Sequence, residues 1–316
     1  ISRWRFVSDI SLFAAGLATL DRSADPTEHL PNSYVSRRST EAQAFSAWTP
    51  PVGALGALTD EARARAATLD GRIGDLRALA ERQPPATSLK GALRRPNVSI
   101  IAEVKRSSPS KGSINPALDI AAQVLAYERG GAAAISVLTE PSRFGGSNAD
   151  LTKARQTVGL PVLKKDFHVE VVQLFEAKSL GASAALVIAR AVSPDRLQEL
   201  LRAGDELDLE LLVEVRDERE LELALGLGAA MIGVNNRNLE TLEIDPETSL
   251  RLLPLVPADV IAVAESGMEG AADIARVALA GADAALVGSE LSRSTDPESV
   301  LRTLTKTGRV SGARKG

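Results

Sequence analysis

Glu103 and Lys105 stand two residues apart at the end of the apolar run Ile100-Ile-Ala-Glu-Val-Lys105. Side chains at i and i+2 of a strand share a face, so a buried strand here delivers an acid and a base together to its C-terminal mouth. Unpaired charge is costly to bury. An isolated Glu-x-Lys is ordinarily a plain exposed ion pair, but the pattern recurs along this chain. Lys164-Lys165-Asp-Phe167 closes the run from Pro161, and Glu214 sits in Leu211-Leu-Val-Glu-Val215. Asn235 and Arg237 follow Met231-Ile-Gly-Val, and Glu265-Ser-Gly267 follows Val260-Ile-Ala-Val-Ala. Carboxylates and ammonium groups gathered at strand ends are the material of general acid/base chemistry.

Such side chains meet only if the strands share one mouth. Apolar runs at Ala132 to Leu138, Ala184 to Ile188 and Ala284 to Val287 complete a set of eight strands, recurring at intervals of about 20 to 35 residues, as in a (β/α)8 barrel. They are continuously apolar, as parallel strands covered on both faces must be. Helical spacing fills the gaps, at Gln173 to Leu180, Pro194 to Leu207, Glu218 to Leu227 and Ala271 to Ala280. The steps Gly130-Gly131-Ala132, Leu180-Gly181-Ala182, Leu227-Gly228-Ala229 and Ala280-Gly281-Ala282 read as helix stops followed by tight turns into strands. They fix the register that sends the polar residues after each strand to one face. The competing topology, an open doubly wound sheet, lacks the glycine-rich fingerprint that would follow its first strand. The expected fold is therefore an α/β TIM barrel over residues 59–305, with an N-terminal helical extension packed on it.

Composition narrows the function classes. The 316 residues carry 37 Lys plus Arg against 41 Asp plus Glu, a formal charge of −4, which offers no general attraction to nucleic acid or anionic membrane. Aromatic residues make up 3%, leaving few platforms on which bases could stack. With no cysteine there is no disulfide, thiolate metal site or cysteine nucleophile, and two histidines, His29 and His168, are too few for a histidine metal cluster. No cofactor is called for, and a cytoplasmic place is expected.

The first 58 residues differ in character. They lack barrel periodicity and contain Asp25-Pro26, Pro31-Asn-Ser33 and Trp48-Thr-Pro-Pro51, so a poorly defined extension is expected there. Arg3 and Arg5 ahead of Ile10 to Leu20 echo a secretory signal, but the apolar stretch is short, broken by Gly16, and lacks a cleavage site. From Thr59, placed to cap a helix, Leu69, Ile73, Leu76 and Leu79 form an apolar stripe reaching to about Gln83. Residues 306–316 form a basic tail, expected to fray.

Taken together, several segments resemble indole-3-glycerol phosphate synthase of tryptophan biosynthesis. They are Glu103-Val-Lys-Arg-Ser-Ser-Pro-Ser110, Ser136-Val-Leu-Thr-Glu140 with Phe144-Gly-Gly-Ser147, Lys165-Asp-Phe167, Val213-Glu-Val215, Ile232-Gly-Val-Asn-Asn-Arg-Asn-Leu-Glu-Thr241, Ala264-Glu-Ser-Gly267 and Val287-Gly-Ser289. Each motif alone is weak; their order and spacing make the likeness specific from about Thr59 to Thr305. The resemblance implies a lyase that converts 1-(2-carboxyphenylamino)-1-deoxyribulose 5-phosphate to indole-3-glycerol phosphate, losing carbon dioxide and water. It implies Lys165 as general acid, Glu214 as a second acid/base group and Glu103 as a proton-handling group in the dehydration. Lys105, whose charge Glu103 favours, reads as a clamp on the carboxylate and carbonyl side; which of the two lysines serves ring closure stays open. Arg237 resembles the partner of the anthranilate carboxylate, with Asn235 orienting the ribulose part. Ser108 resembles a phosphate ligand, and the small residues Ser266, Gly267, Gly288 and Ser289 suit backbone N–H contacts to the same group. Glu265 is expected to meet a sugar hydroxyl, and Phe144 and Phe167 to wall the aromatic ring. Pro109 and Gly112 suggest a first loop able to close as a lid.

Two features depart from the family pattern: the N-terminal extension, and Asn238 where aspartate is common. Three other readings compete with this one. A phosphoribosylanthranilate isomerase-like barrel resembles a design with a cysteine base, absent here. A Schiff-base aldolase would use Lys165 as a nucleophile, and a non-catalytic phosphate-ligand barrel would bind without turnover. The expected partner is a small phosphorylated substrate, handled by a monomer, although association with other enzymes of the pathway stays open.

Overall fold

The computed structural model describes residues 48–108 and 112–314. Readings placed on residues 1–47, on the tip of the first loop at 109–111, and on Lys315 and Gly316 fall outside the described residues.

Eight parallel strands close into a barrel: β1 Ser99–Val104, β2 Ala134–Leu138, β3 Val162–Lys165, β4 Ala184–Ile188, β5 Glu210–Val215, β6 Met231–Asn235, β7 Ile261–Glu265 and β8 Ala284–Val287. Each pairs with its neighbours in sequence, and β1 closes the ring against both β2 (Glu103 opposite Ser136) and β8 (Ile101 opposite Leu286). Nearly every strand residue is buried, which accounts for the unbroken apolar runs. Each fully buried Ile or Leu contributes roughly 1.5–3 kcal/mol by leaving water. The sequence expectation of an eight-stranded α/β barrel is met.

Helices follow the strands on the outside, among them α4 Ile120–Arg129, α5 Asn148–Thr157, α6 Val171–Ser179, α7 Pro194–Glu206, α8 Glu218–Gly226, α9 Glu247–Leu252, α10 Ala271–Leu279, α11 Ser289–Arg293 and α12 Pro297–Leu304. Asp119, Ser147, Ser193, Asp217 and Asp296 each cap a helix by accepting a backbone N–H with the side chain. The four glycines read as helix stops, Gly131, Gly181, Gly228 and Gly281, all have φ between 84° and 99°, where a side chain would be strained.

Ahead of β1 lie α1 Gly53–Ala67, a short 3₁₀ turn Asp70–Arg72, α2 Ile73–Glu81 and α3 Leu89–Ala92. Two sequence expectations are corrected here. The helix begins at Gly53, and Thr59, expected as its cap, is buried in its interior. The stripe is also split: Leu69 and Leu76 pack with Ala66, Val172 and Phe175, whereas Ile73 and Leu79 are each 43% exposed. The 3₁₀ turn between α1 and α2 resets the helical phase, so one periodicity cannot run through both. Arg77 completes this small cluster, its guanidinium 5.3 Å from the centre of the Phe175 ring.

At the N-terminal end of the strands the described part of the basic tail is held and not frayed. Arg309 and Arg314 both pair with Asp283, which is 1% exposed just before β8. Among the described residues no helix is long and apolar enough to cross a membrane.

Candidate active site

Strand alternation separates the adjacent lysines of β3. Lys164 points outward, 2% exposed, to Glu176 of α6 at 2.8 Å. Lys165 points into the mouth of the barrel, its Nζ 3.3 Å from Glu214 and 3.1 Å from Glu265. Burial opposes the charge on Lys165, yet the carboxylates of Glu265, Glu214 and Glu103 outweigh it and hold the pKa above the ordinary lysine value. Lys165 is thus an ammonium at neutral pH. Lys165 is the cation that Glu265 meets, and both Glu265 oxygens are buried. Burial accordingly pushes Glu265 above the usual carboxylate range, against the pull of Lys165. Glu214 differs: its Oε1 accepts from Asn235 Nδ2 at 2.8 Å, which joins β5 to β6 across the mouth.

Glu103 and Lys105 meet as the spacing predicts, with Nζ 3.0 Å from Oε1. The backbone beneath Glu103 is held from behind, since its carbonyl accepts from Tyr127 of α4 and Ser292 of α11, each at 3.2 Å. Neither residue carried a sequence signal, because both lie on helices far from β1 in the chain.

Arg237 lies beyond the last residue of β6, yet it reaches the cavity. Asn235 Oδ1 accepts its backbone N–H at 2.9 Å, turning the chain, and its guanidinium donates to the Leu242 carbonyl at 2.9 Å. Asn238 shapes the same loop by accepting the N–H groups of Glu240 and Thr241 at 2.9 and 3.3 Å. An aspartate would accept both equally well, so the departure from the family pattern leaves the support of Arg237 intact.

These groups line one open cavity of about 1080 Å³, counted to its solvent mouth, together with Ser108, Phe144, Phe167, Ser266, Gly267, Gly288 and Ser289. All the candidate residues named from the sequence therefore converge. The Phe144 and Phe167 rings stand 6.5 Å apart and tilted by 38°, forming one apolar wall. On the far side Ser266 and Gly267 take φ of 64° and 78°, and Asn236 fixes the turn by donating to the Ser266 carbonyl at 3.0 Å. Without a side chain at Gly267, the backbone N–H groups of this turn are open to close approach by an anion.

The sequence reading missed Leu58 of α1, which also lines the cavity, along with Ile188, Leu239 and Met268. Single apolar residues carry no motif, and Leu58 falls at the edge of the segment whose sequence suggests a poorly defined extension. Asp166, the middle residue of Lys165-Asp-Phe167, borders the cavity as well, a role its position in the motif does not announce. Among the described residues no three His, Asp or Glu side chains gather to hold a metal ion.

The sequence profile of a family described as indole-3-glycerol phosphate synthase matches residues 57–304. Proteins of that name from Nocardioides sp., Mycolicibacterium gilvum and Streptomyces coelicolor are similar to this chain. The first is 49% identical over 74% of this chain and 90% of its own length. The second is 46% identical over 75% and 87%, and the third 44% identical over 83% and 98%. Among solved structures, thiamine phosphate pyrophosphorylase from Pyrococcus furiosus aligns with a TM-score of 0.50 at 16% identity, over 69% of this chain and 96% of that one, a likeness of fold alone.

Proposed function

This chain belongs to the indole-3-glycerol phosphate synthase family, and on that premise we propose that its barrel mouth closes the indole ring of 1-(2-carboxyphenylamino)-1-deoxyribulose 5-phosphate by general acid/base catalysis. The observation that carries the assignment is Lys165, held as an ammonium between Glu214 and Glu265 at the floor of the cavity. Ring closure forms a bond between the carboxylate-bearing aromatic carbon and the ketone carbon. The ketone oxygen becomes an alkoxide, and the Lys165 ammonium supplies its proton as that charge develops. Loss of carbon dioxide then returns the electron pair to the ring. Glu214 and Glu103 serve the dehydration, one delivering a proton to the departing hydroxyl and the other removing the proton that completes the indole.

Lys105 and Arg237 face the same cavity and hold the substrate carboxylate, while Asn235 orients the ribulose chain. Glu265, beside Lys165, meets a sugar hydroxyl. Ser108, Gly267, Gly288 and Ser289 receive the phosphate, and Phe144 and Phe167 stack on the aromatic ring. Every group named comes from one chain, so a monomer suffices. A Schiff-base mechanism needs a neutral amine, and the raised pKa of Lys165 opposes that reading.

The test is the appearance of indole-3-glycerol phosphate fluorescence from the carboxyphenylamino-deoxyribulose phosphate, in EDTA and without added cofactor. Turnover by the wild type and none by Lys165→Ala, with binding of the compound retained, is the expected result. Binding without turnover by the wild type would overturn it.

A further inference from the structure

We propose that Arg65 of α1 is a positioning residue for the aromatic wall, holding from outside the barrel the two loops that carry Phe144 and Phe167. The proposal rests on the ring-closing function above and extends it to a side chain that touches no substrate.

Arg65 is the meeting point of two acids. Its Nη2 lies 2.8 Å from Asp166 and its Nη1 3.7 Å from Glu140. Both acids are buried, Asp166 at 6% and Glu140 at 0% exposure. Each is used up in shaping a loop. Glu140 accepts the backbone N–H groups of Ser142, Arg143 and Phe144 at 2.8, 2.7 and 3.1 Å, which folds the segment after β2 around its carboxylate. Asp166 accepts the Phe167 N–H at 2.8 Å and the Thr139 hydroxyl at 2.6 Å. It also directly follows Lys165. Two buried carboxylates in neighbouring loops repel each other unless a cation stands between them, and the fork of an arginine can face both.

The position of α1 makes this a tether across the mouth. The first turn of α1 is seated on the loop after β6, where the N–H of Ala54 donates to the Glu240 carbonyl at 3.2 Å and that of Val52 to the Glu240 carboxylate at 3.1 Å. Leu58 then faces the cavity, and Arg65, in the last turn, reaches β2 and β3. Attack on the ketone requires the aromatic carbon at the right distance and angle, and both rings of the wall that set its plane depend on loops joined through Arg65.

The experiment measures kcat, KM and thermal midpoint for Arg65→Met and Arg65→Lys, with Arg63→Met as a control. Among the described residues, Arg63 pairs with Asp60 on its own helix. Misplacement of reacting groups by a fraction of an ångström predicts a loss of about tenfold or more in kcat for Arg65→Met, a smaller change in KM, and about two- to fivefold loss for Arg65→Lys. Arg63→Met should match the wild type. A folded Arg65→Met enzyme with unaltered kcat overturns the proposal. Should Arg65→Met not fold, Arg65→Lys decides alone: reduced kcat at an unchanged thermal midpoint supports positioning, and unaltered kcat refutes it. A wild type that fails to turn over would instead refute the ring-closing function, so the two failures are distinct.

Discussion

Glu265 Oε1 occupies the space in which a side chain at Gly233 would begin: a Cβ there would stand 2.1 Å from it. Gly233 lies in the middle of β6 and does not take a positive φ, so room for the acid, not backbone freedom, demands the glycine. The same relation joins Gly288 to Glu103, where a Cβ would come within 2.4 Å of Oε1 and 3.1 Å of Lys105 Nζ. At β6, and at the residue just after β8, the chain thus omits a side chain to admit the acid of the neighbouring strand. Gly233→Ala must displace Glu265 and with it the contact to Lys165. The expected loss in kcat is about 100-fold with the fold retained, on the scale of a misplaced catalytic group. Wild-type kcat in a folded Gly233→Ala enzyme would show that Glu265 can move without consequence.

Glu265 is the strongest charge raising the pKa of Lys165. Removing that negative charge destabilises the ammonium, which then loses its proton at lower pH. The alkaline limb of the kcat profile of Glu265→Gln should therefore move to lower pH than that of the wild type, if Lys165 must be protonated to act. A rate profile from pH 6 to 11 tests it: the wild type, whose Lys165 titrates above the ordinary lysine value, should hold its rate across the range, Glu265→Gln should lose rate toward the alkaline end, and a variant profile as flat as the wild type's would remove Lys165 from the acid role.

Legibility followed the range of the interactions. Strands β1 to β8 were readable because burial on both faces writes an unbroken apolar run, and the polar side chains at their ends stood in compact motifs such as Lys165-Asp-Phe167. The start of α1 was not. Gly53-Ala-Leu-Gly56 carries no helix-start signal, and its partner is tertiary: Gly53, at φ 61°, lies against the Glu240 carbonyl, where a Cβ would be 2.4 Å away. That partner is far off in sequence. Arg65 and Asp166 likewise lie 101 residues apart, and neither carries a spacing that would announce the pair. The tail was misread for a related reason: basic residues at a chain end look solvated until a buried Asp283 is seen to receive them.

His168 supplies a stability prediction with a definite sign. Its Nδ1–H donates to the Leu186 carbonyl at 2.7 Å while Nε2 is buried without a partner. Burial, aided by the charge on Lys164, lowers its pKa to about 4. An unfolded chain protonates the same ring near pH 6.5, so between those values the unfolded state binds more protons and stability falls as pH falls. The loss from this one group approaches about 3 kcal/mol by pH 4, at about 1.4 kcal/mol per unit. Urea midpoints at pH 7.5 and pH 5 should differ more for the wild type than for His168→Gln. Equal pH dependence in the two proteins would mean that the ring is charged, or accessible, in the folded state.

Asp283 anchors the chain end at the face opposite the active site. Its Oδ2 accepts the Ala262 N–H at 2.8 Å and pairs with Arg314 at 2.7 Å, while Oδ1 pairs with Arg309. The Arg314 side chain is only 5% exposed and also donates to the Val260 and Pro257 carbonyls at 2.8 and 3.3 Å. Removing the acid strands a buried guanidinium, and breaking such a pair from one side costs about 3–5 kcal/mol. Asp283→Ala should therefore lower unfolding stability by about that amount. Its kcat should remain that of the wild type, because the N-terminal ends of β7 and β8 are a barrel length from Lys165. Replacing Arg314 as well should cost little more, since its charge is already uncompensated. Additive losses in the double variant would instead mean that the two side chains stabilise the barrel independently, and that the tail is held by its carbonyl contacts and not by Asp283.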